Sequence, residues 1–416
     1  MTDATPAPAA TPAVRNGVGG RWVSALSLAN LGVWVGWFGP LQLLLARQAE
    51  YLTPEHKTST LALVTGVGAA VSMVANPVFG ALSDRTTARA GRRVPWVVAG
   101  VAGGAAGLLV LSRASSVAAV IAGWCLVQLA LNAAFAALTA AVPDQVPPGQ
   151  RGLVGGWLGV SQVGGILVGT ALATAAGGIT AGYLACAAFS VLAAVPYVLM
   201  RRDTRLSPAD RPVFRWRTFL TGFWIDPRHH PDFGWAWLTR FLMNLSYSIS
   251  TMYLLYYLTD AVRYEGDADT GVLILTSLNA LTLLSTVVVS GIRSDRSGRR
   301  KAYVIGSGLV ITAATLLLAL WQTWTGAIVA SLVLGVGFGV YTSVDFALLT
   351  DVLPTAEDRG KDLGVINIAN ALPQVLAPVV AAPVVAHLGG YTALYALAGF
   401  LALAGSVLVR RIRGVP

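Results

Sequence analysis

Two charges stand where so apolar a chain should carry none. Arg240 lies inside the apolar run 233–259 and Asp345 inside the run 325–350. An ionisable side chain at membrane depth is costly and marks a place where charge is used. If the first run crosses from inside to outside and the second crosses back, both charges fall within two helical turns of the same face, at ~1.5 Å of rise per residue. That predicts a buried ion pair. Burial favours a neutral carboxylic acid and a neighbouring guanidinium favours the carboxylate, so a carboxyl held between them is a candidate for reversible protonation. A permanent salt bridge that only holds helices together is the other reading of the same two residues.

Uncharged polar residues form stripes in the same kind of run. Asn30, Trp34 and Trp37 follow i, i+4, i+7, while Trp124, Gln128 and Asn132 follow i, i+4, i+8. Arg240, Asn244 and Tyr247 repeat the first spacing, Tyr341 and Asp345 are four apart, and Asn370 and Gln374 follow Asn367. Such spacing puts each set on one helical face. Amides offer donors and acceptors together and indoles pack on C–H surfaces, which suits a polyhydroxyl ligand. Interhelical hydrogen bonding, common in membrane bundles, is the alternative for each amide.

A third group is basic. Residues 80–96 read GALSDRTTARAGRRVPW, and residues 291–303 read GIRSDRSGRRKAY. Gly80, Ser83, Asp84 and Arg85 map onto Gly291, Ser294, Asp295 and Arg296; after a four-residue deletion, Gly91, Arg92 and Arg93 map onto Gly298, Arg299 and Arg300. PDQVPPGQRG at 143–152, with Asp144 and Arg151, resembles TDVLPTAEDRG at 350–360, with Asp351. Asp84 is expected to accept backbone N–H groups at a neighbouring helix N-terminus, and Arg85, Arg92 and Arg93 to pair with Asp144. Gly80 and Gly91 would allow close approach and a tight turn. Alternatively, the arginines do no more than set topology.

Long helices must position these groups. The 416 residues are 55% hydrophobic and 12% charged, with a mean hydropathy of +0.66. Runs of about 20 apolar residues suffice to cross a bilayer. Twelve are present, at about 22–46, 59–82, 95–112, 117–142, 152–174, 181–200, 233–259, 270–292, 302–321, 325–350, 362–386 and 391–409. With the N-terminus inside, inner segments carry 24 Lys or Arg and outer loops carry four (Arg47, Lys57, Arg113, Arg263). This positive-inside bias places both termini in the cytoplasm, and it explains the net charge of +10 without a nucleic-acid partner. The expected organisation is a disordered tail (1–20), a six-helix half (21–200), a connector (201–232) and a second half (233–416). In the connector, Phe214, Trp216, Phe219, Leu220, Phe223 and Trp224 suit a short interfacial helix. Cys125 and Cys186 read as packing residues. No metal ligands are expected, since DPRHHPD at 226–232 suits a solvated loop. No GxxxxGK[ST] loop for ATP and no nucleophile–base set is present, so no enzyme is expected.

The hairpin GALSDRTTARAGRR resembles the signature loop between helices 2 and 3 of the major facilitator superfamily, with a degenerate copy between helices 8 and 9. The resemblance covers essentially the whole chain. SDRTTARAGRRVPW is further similar to the glycoside–pentoside–hexuronide:cation symporters and the sucrose–proton carriers. The superfamily resemblance implies an all-α membrane protein of 12 transmembrane helices in two pseudo-symmetric halves, built from parallel repeats. It also implies a central cavity lined by helices 1, 4, 7 and 10, and a cytoplasmic latch of Asp84, Arg85, Arg92, Asp144, Arg151, Asp295, Arg296 and Asp351. The substrate set would be Asn30, Trp34, Trp37, Gln128, Asn132, Arg240, Asn244, Tyr247, Tyr341, Asp345, Asn370 and Gln374, with Asp345 and Arg240 coupling to protons. The expectation is alternating-access, proton-coupled symport of a sugar or similar polar solute; the alternative is proton-driven efflux. Helix 4 lacks the interior carboxylate of the sucrose carriers, which shifts coupling to the second half. Helix 5 lacks the proline of the best-known exporters. A functional monomer in a cell membrane is expected, driven by a proton gradient without a cofactor. The dominance of arginine over lysine suggests a bacterial source.

Overall fold

Backbone in lipid must satisfy its own hydrogen bonds, and helices do so within one segment. The computed structural model describes residues 17–200, 203, 205–207, 209, 229–297, 299–351 and 359–413, and among these no strand occurs. The helices are α1 (Gly20–Leu52), α2 (Lys57–Asp84), α3 (Val94–Arg113), α4 (Val117–Gln145), α5 (Pro148–Ala175) and α6 (Ile179–Leu199). The second set is α7 (Pro231–Met252), α8 (Ala268–Ser297), α9 (Arg300–Leu320), α10 (Trp324–Asp351), α11 (Arg359–His387) and α12 (Gly390–Leu408). Eleven are long and apolar enough to span a membrane. The exception is α7, whose apolar run is broken by Arg240, Asn244 and a series of serines.

The repeat read from the hairpins is also a repeat of packing. In the first half α1 packs on α5 and α6, α2 on α4, and α3 on α4 and α6; each pair recurs six helices later. The halves meet through α2 against α11 and α5 against α8, which are also equivalent pairs.

Two helices widen near the same end of the molecule. In α1 the segment Pro40–Leu44 is π-helical, its turn closed by the Leu45 N–H donating to the Pro40 carbonyl. Beyond α7 the segment Tyr257–Ala261 does the same, with Val262 donating to Tyr257 at 3.0 Å. Proline offers no N–H to the preceding turn, which accounts for the first. The apolar run of α1 was expected to end near residue 46, leaving Arg47 and Glu50 in a loop. The helix instead continues to Leu52, because its last turns are amphipathic rather than uniformly apolar. The expected tail lies outside the described residues up to residue 16, as does nearly all of the connector, including its aromatic segment.

Candidate functional site

Arg240 and Asp345 form the expected ion pair between α7 and α10, with side chains only 13% and 6% exposed. Each is held by further bonds. Tyr341, one turn before Asp345, donates its hydroxyl to the second carboxylate oxygen at 2.9 Å. The Arg240 Nε donates to the Asn370 side-chain oxygen at 2.8 Å. Asn244 donates to the Arg240 carbonyl at 2.9 Å and lies 3.4 Å from the same Asn370 oxygen. A buried charge pair is tolerable only with such satisfaction of its remaining donors and acceptors.

Beside this cluster lies a cavity of ≈ 790 Å³. It runs from Phe38 and Leu254 at one end to Leu153, Val287 and Thr342 toward the end bearing the basic hairpins. Asn244, Tyr247, Asn370 and Gln374 line it as expected, while Arg240, Asp345 and Tyr341 stand behind its wall. Tyr247 donates to Asn279 at 2.8 Å and stacks on Phe338 with ring centres 3.7 Å apart.

The lining differs from the expectation in one respect. Helix α4 contributes nothing to it, and α5 and α8 contribute heavily. Asn132 instead faces α2, donating to Ser72 at 2.8 Å and accepting from Asn76 at 3.2 Å. Gln128 keeps it company, accepting at its backbone carbonyl at 2.7 Å. Asn30 is buried and donates to the Leu158 carbonyl at 3.4 Å. Trp34 and Trp37 pack edge-on with Phe135, at 5.3 and 5.6 Å, and their indole N–H groups are buried without a partner. Spacing placed these residues on shared faces; it could not tell which neighbour each face would meet.

At the hairpin end, the residue at the centre is Arg93. It is 1% exposed and donates to Asp144 at 2.8 Å, Asp84 at 2.6 Å and Ser83 at 2.5 Å. Burial opposes its charge, but the hydrogen bonds and charges of Asp144 and Asp84 outweigh that and raise its pKa above the ordinary arginine value. Arg92 reaches Asp84 at 2.9 Å and Asp144 only at 4.0 Å. The carboxylate at the helix N-terminus is Asp203 rather than Asp84: it accepts the backbone N–H groups of Arg93 and Val94 at 2.5 and 2.7 Å, where α3 begins. Gly91 makes the turn with φ +111°, a conformation side chains rarely adopt, and a Cβ there would collide with Asp203. A Cβ at Gly80 would meet open space, so the close approach expected there is not used. Arg151 caps α4 by donating to the Val146 and Pro143 carbonyls, both at 3.1 Å. The backbone of Arg85 ends α2, donating to Leu82. Asp295, Arg296 and Asp351 belong to α8 and α10, but their side chains lie outside the described residues.

The opposite end carries a seal that the sequence did not disclose. Arg47 pairs with Asp269 at 2.5 Å and Lys57 with Asp260 at 2.8 Å, while Glu50 bridges both cations at 3.3 and 3.1 Å. Tyr256 donates to the Ala46 carbonyl at 2.7 Å. Each contact joins the two halves, apart from those of Glu50. At the hairpin end no ion pair joins the halves among the described residues. Half-exposed pairs each contribute up to ~1 kcal/mol, so Asp260→Asn with Asp269→Asn is expected to raise opening of this end several-fold. Labelling of a Leu41→Cys variant by an impermeant maleimide, in a background lacking Cys125 and Cys186, measures it. Unchanged labelling would dismiss these pairs as a gate.

Comparison with known proteins follows the same lines. The Major Facilitator Superfamily sequence profile matches residues 26–274 and 266–416. No curated protein matches. Among solved structures, a POT family transporter in complex with a thioalcohol-conjugated peptide is similar at TM-score 0.76 and 13% identity, covering 94% of this chain and 96% of that one. The human organic anion transporter MFSD10 (TETRAN) is similar at 0.68 and 18%, covering 94% and 99%. A point mutant of the nucleoside transporter NupG is similar at 0.70 and 12%, covering 94% and 98%. At these identities the likeness speaks for the fold.

Proposed function

The chain belongs to the Major Facilitator Superfamily, and from that premise we propose that it is a proton-coupled secondary transporter of a small uncharged solute, a sugar or similar polar compound. It is a multi-pass membrane transporter and not an enzyme. The observation that carries the coupling is the bond from Arg240 to Asn370, whose side chain also lines the cavity. A solute bonding to Asn370 competes with Arg240 for one oxygen. Arg240 in turn is the charged partner of Asp345, so solute occupancy and the protonation of Asp345 bear on the same guanidinium. Protonated Asp345 no longer needs Arg240, and the α7–α10 contact loosens; deprotonation restores it. Proton and solute binding thereby bias the same two helices, which is what linkage between two sites requires.

In this reading the chain works as a monomer in a cell membrane, with both termini cytoplasmic and the proton gradient as its driving force. Its arginine-rich composition fits a bacterial membrane. Reconstitution into proteoliposomes tests the reading. Solute uptake is expected to accelerate with the outside acidic and to fall to the equilibrium level with a protonophore. Indifference to the protonophore would remove proton coupling from the proposal. Proton-driven efflux is the second reading, favoured by the apolar wall that α5 presents to the cavity.

A further inference from the structure

The cavity is mostly apolar along α5 and mixed along the helices of the second half. On α5, Leu153, Trp157 and Val160 repeat at i, i+4, i+7, are 64%, 51% and 49% exposed, and all line it. From the second half, the amides Asn244, Asn279 and Asn370 line it among apolar residues such as Leu283, Leu284 and Phe338. Among the described residues that line it there is no Asp, Glu, Lys, Arg or His.

We propose that this cavity takes an uncharged amphipathic solute, with a flat apolar body against α5 and amide- or hydroxyl-type groups along the edge facing α7, α8 and α11. The inference narrows the transport reading, setting aside a bare sugar in favour of a solute with an apolar face, and rests on this cavity being the substrate site. An apolar stripe open to an aqueous chamber gains free energy when an apolar surface covers it. A bare polyol offers the amides its hydrogen bonds but leaves the stripe wet. An ion would shed its hydration with no countercharge among the described lining residues, a large cost. Arg240 and Asp345 do not supply one, because they satisfy each other behind Asn370. The volume falls within the range of small-molecule sites, roughly 300–1,000 Å³.

Equilibrium binding to the purified full chain by calorimetry, with no gradient, separates the components. The probes are N-(4-hydroxyphenyl)acetamide (ring and neutral edge), 4-acetamidobenzoate (the same ring with a charge) and glucose (edge without ring). The first is expected to bind saturably, and the other two at least ~10-fold more weakly, from the cost of an unpaired charge and the loss of apolar cover. Trp157→Gln and Asn244→Leu are each expected to weaken the first probe ~10-fold. Trp157 is half-exposed, so its replacement leaves the thermal midpoint near the parent's. Equal binding of the anion or of glucose, no binding of the neutral probe, or unchanged affinity in both variants would overturn the proposal. Intact binding in a chain that fails to respond to a pH gradient would remove the coupling reading and leave this one standing.

Discussion

Asp345→Asn is expected to abolish uphill, pH-gradient-driven uptake while leaving solute exchange across the membrane intact. Asparagine keeps the size of the side chain. Its one carbonyl oxygen can still accept from Arg240, while its NH2 replaces the oxygen that accepts from Tyr341, whose hydroxyl can turn to accept instead. Asparagine cannot gain or lose a proton, so the step that links the gradient to the helices is removed while the cavity remains. Asp345→Ala is a different perturbation. It leaves Arg240 buried without its partner, and breaking a buried pair from one side costs about 3–5 kcal/mol. The expected order is therefore a transport-specific defect for Asn and a loss of folded protein for Ala. Parallel measurements of counterflow and of uphill uptake in proteoliposomes check it. If Asp345→Asn retained concentrative uptake, the pair would be a static brace. If exchange and uptake fell together, the residue would shape the cavity rather than couple it.

The second large effect is at Arg93. Its guanidinium joins Asp144, Asp84 and Ser83 at once while buried, so Arg93→Ala leaves two carboxylates facing each other without their central cation. A loss of about 1–3 kcal/mol follows, less than for a fully buried pair because Asp84 is half exposed and keeps Arg92. Arg93→Lys retains charge but not the planar fork that serves several acceptors together, and should recover only part of that loss. Arg92→Ala removes a more exposed pair and should cost no more than ~1 kcal/mol. Thermal unfolding of the purified variants ranks the three. A chain more sensitive at Arg92 than at Arg93 would contradict the network as described.

The helices and their duplication were legible because lipid thickness sets a run length and the two hairpins share a register. Arg240 and Asp345 were legible because charge in an apolar run is rare. Arg93 was not separable from Arg92: two adjacent arginines look alike, and the backbone direction at the start of α3 decides which one is buried. Asp203 sat in a segment read only for composition. Asp260 and Asp269 meet Lys57 and Arg47 across more than two hundred residues of chain, and no local pattern announces such a contact. The apolar wall of α5 did leave a signal. Leu153, Trp157 and Val160 share the spacing of the polar stripes, but a search guided by polarity passes over a stripe made of hydrophobic residues.

The π-helical turns at Pro40–Leu44 and Tyr257–Ala261 make the outer seal a matter of phase. Each turn holds one residue more than an α-turn would, and one residue is about 100° of rotation around a helix of 3.6 residues per turn. Arg47 follows the first of these turns, and Asp260 lies within the second. Deleting a single residue from Pro40–Leu44 would let α1 run on as a regular helix with Arg47 close to its present phase. Forcing the full sequence into regular α-helix would instead swing Arg47 roughly a quarter-turn away from Asp269. Leu41 and Gln42, which line the outer end of the cavity, would turn in the same step, and the lid would no longer be aligned to close.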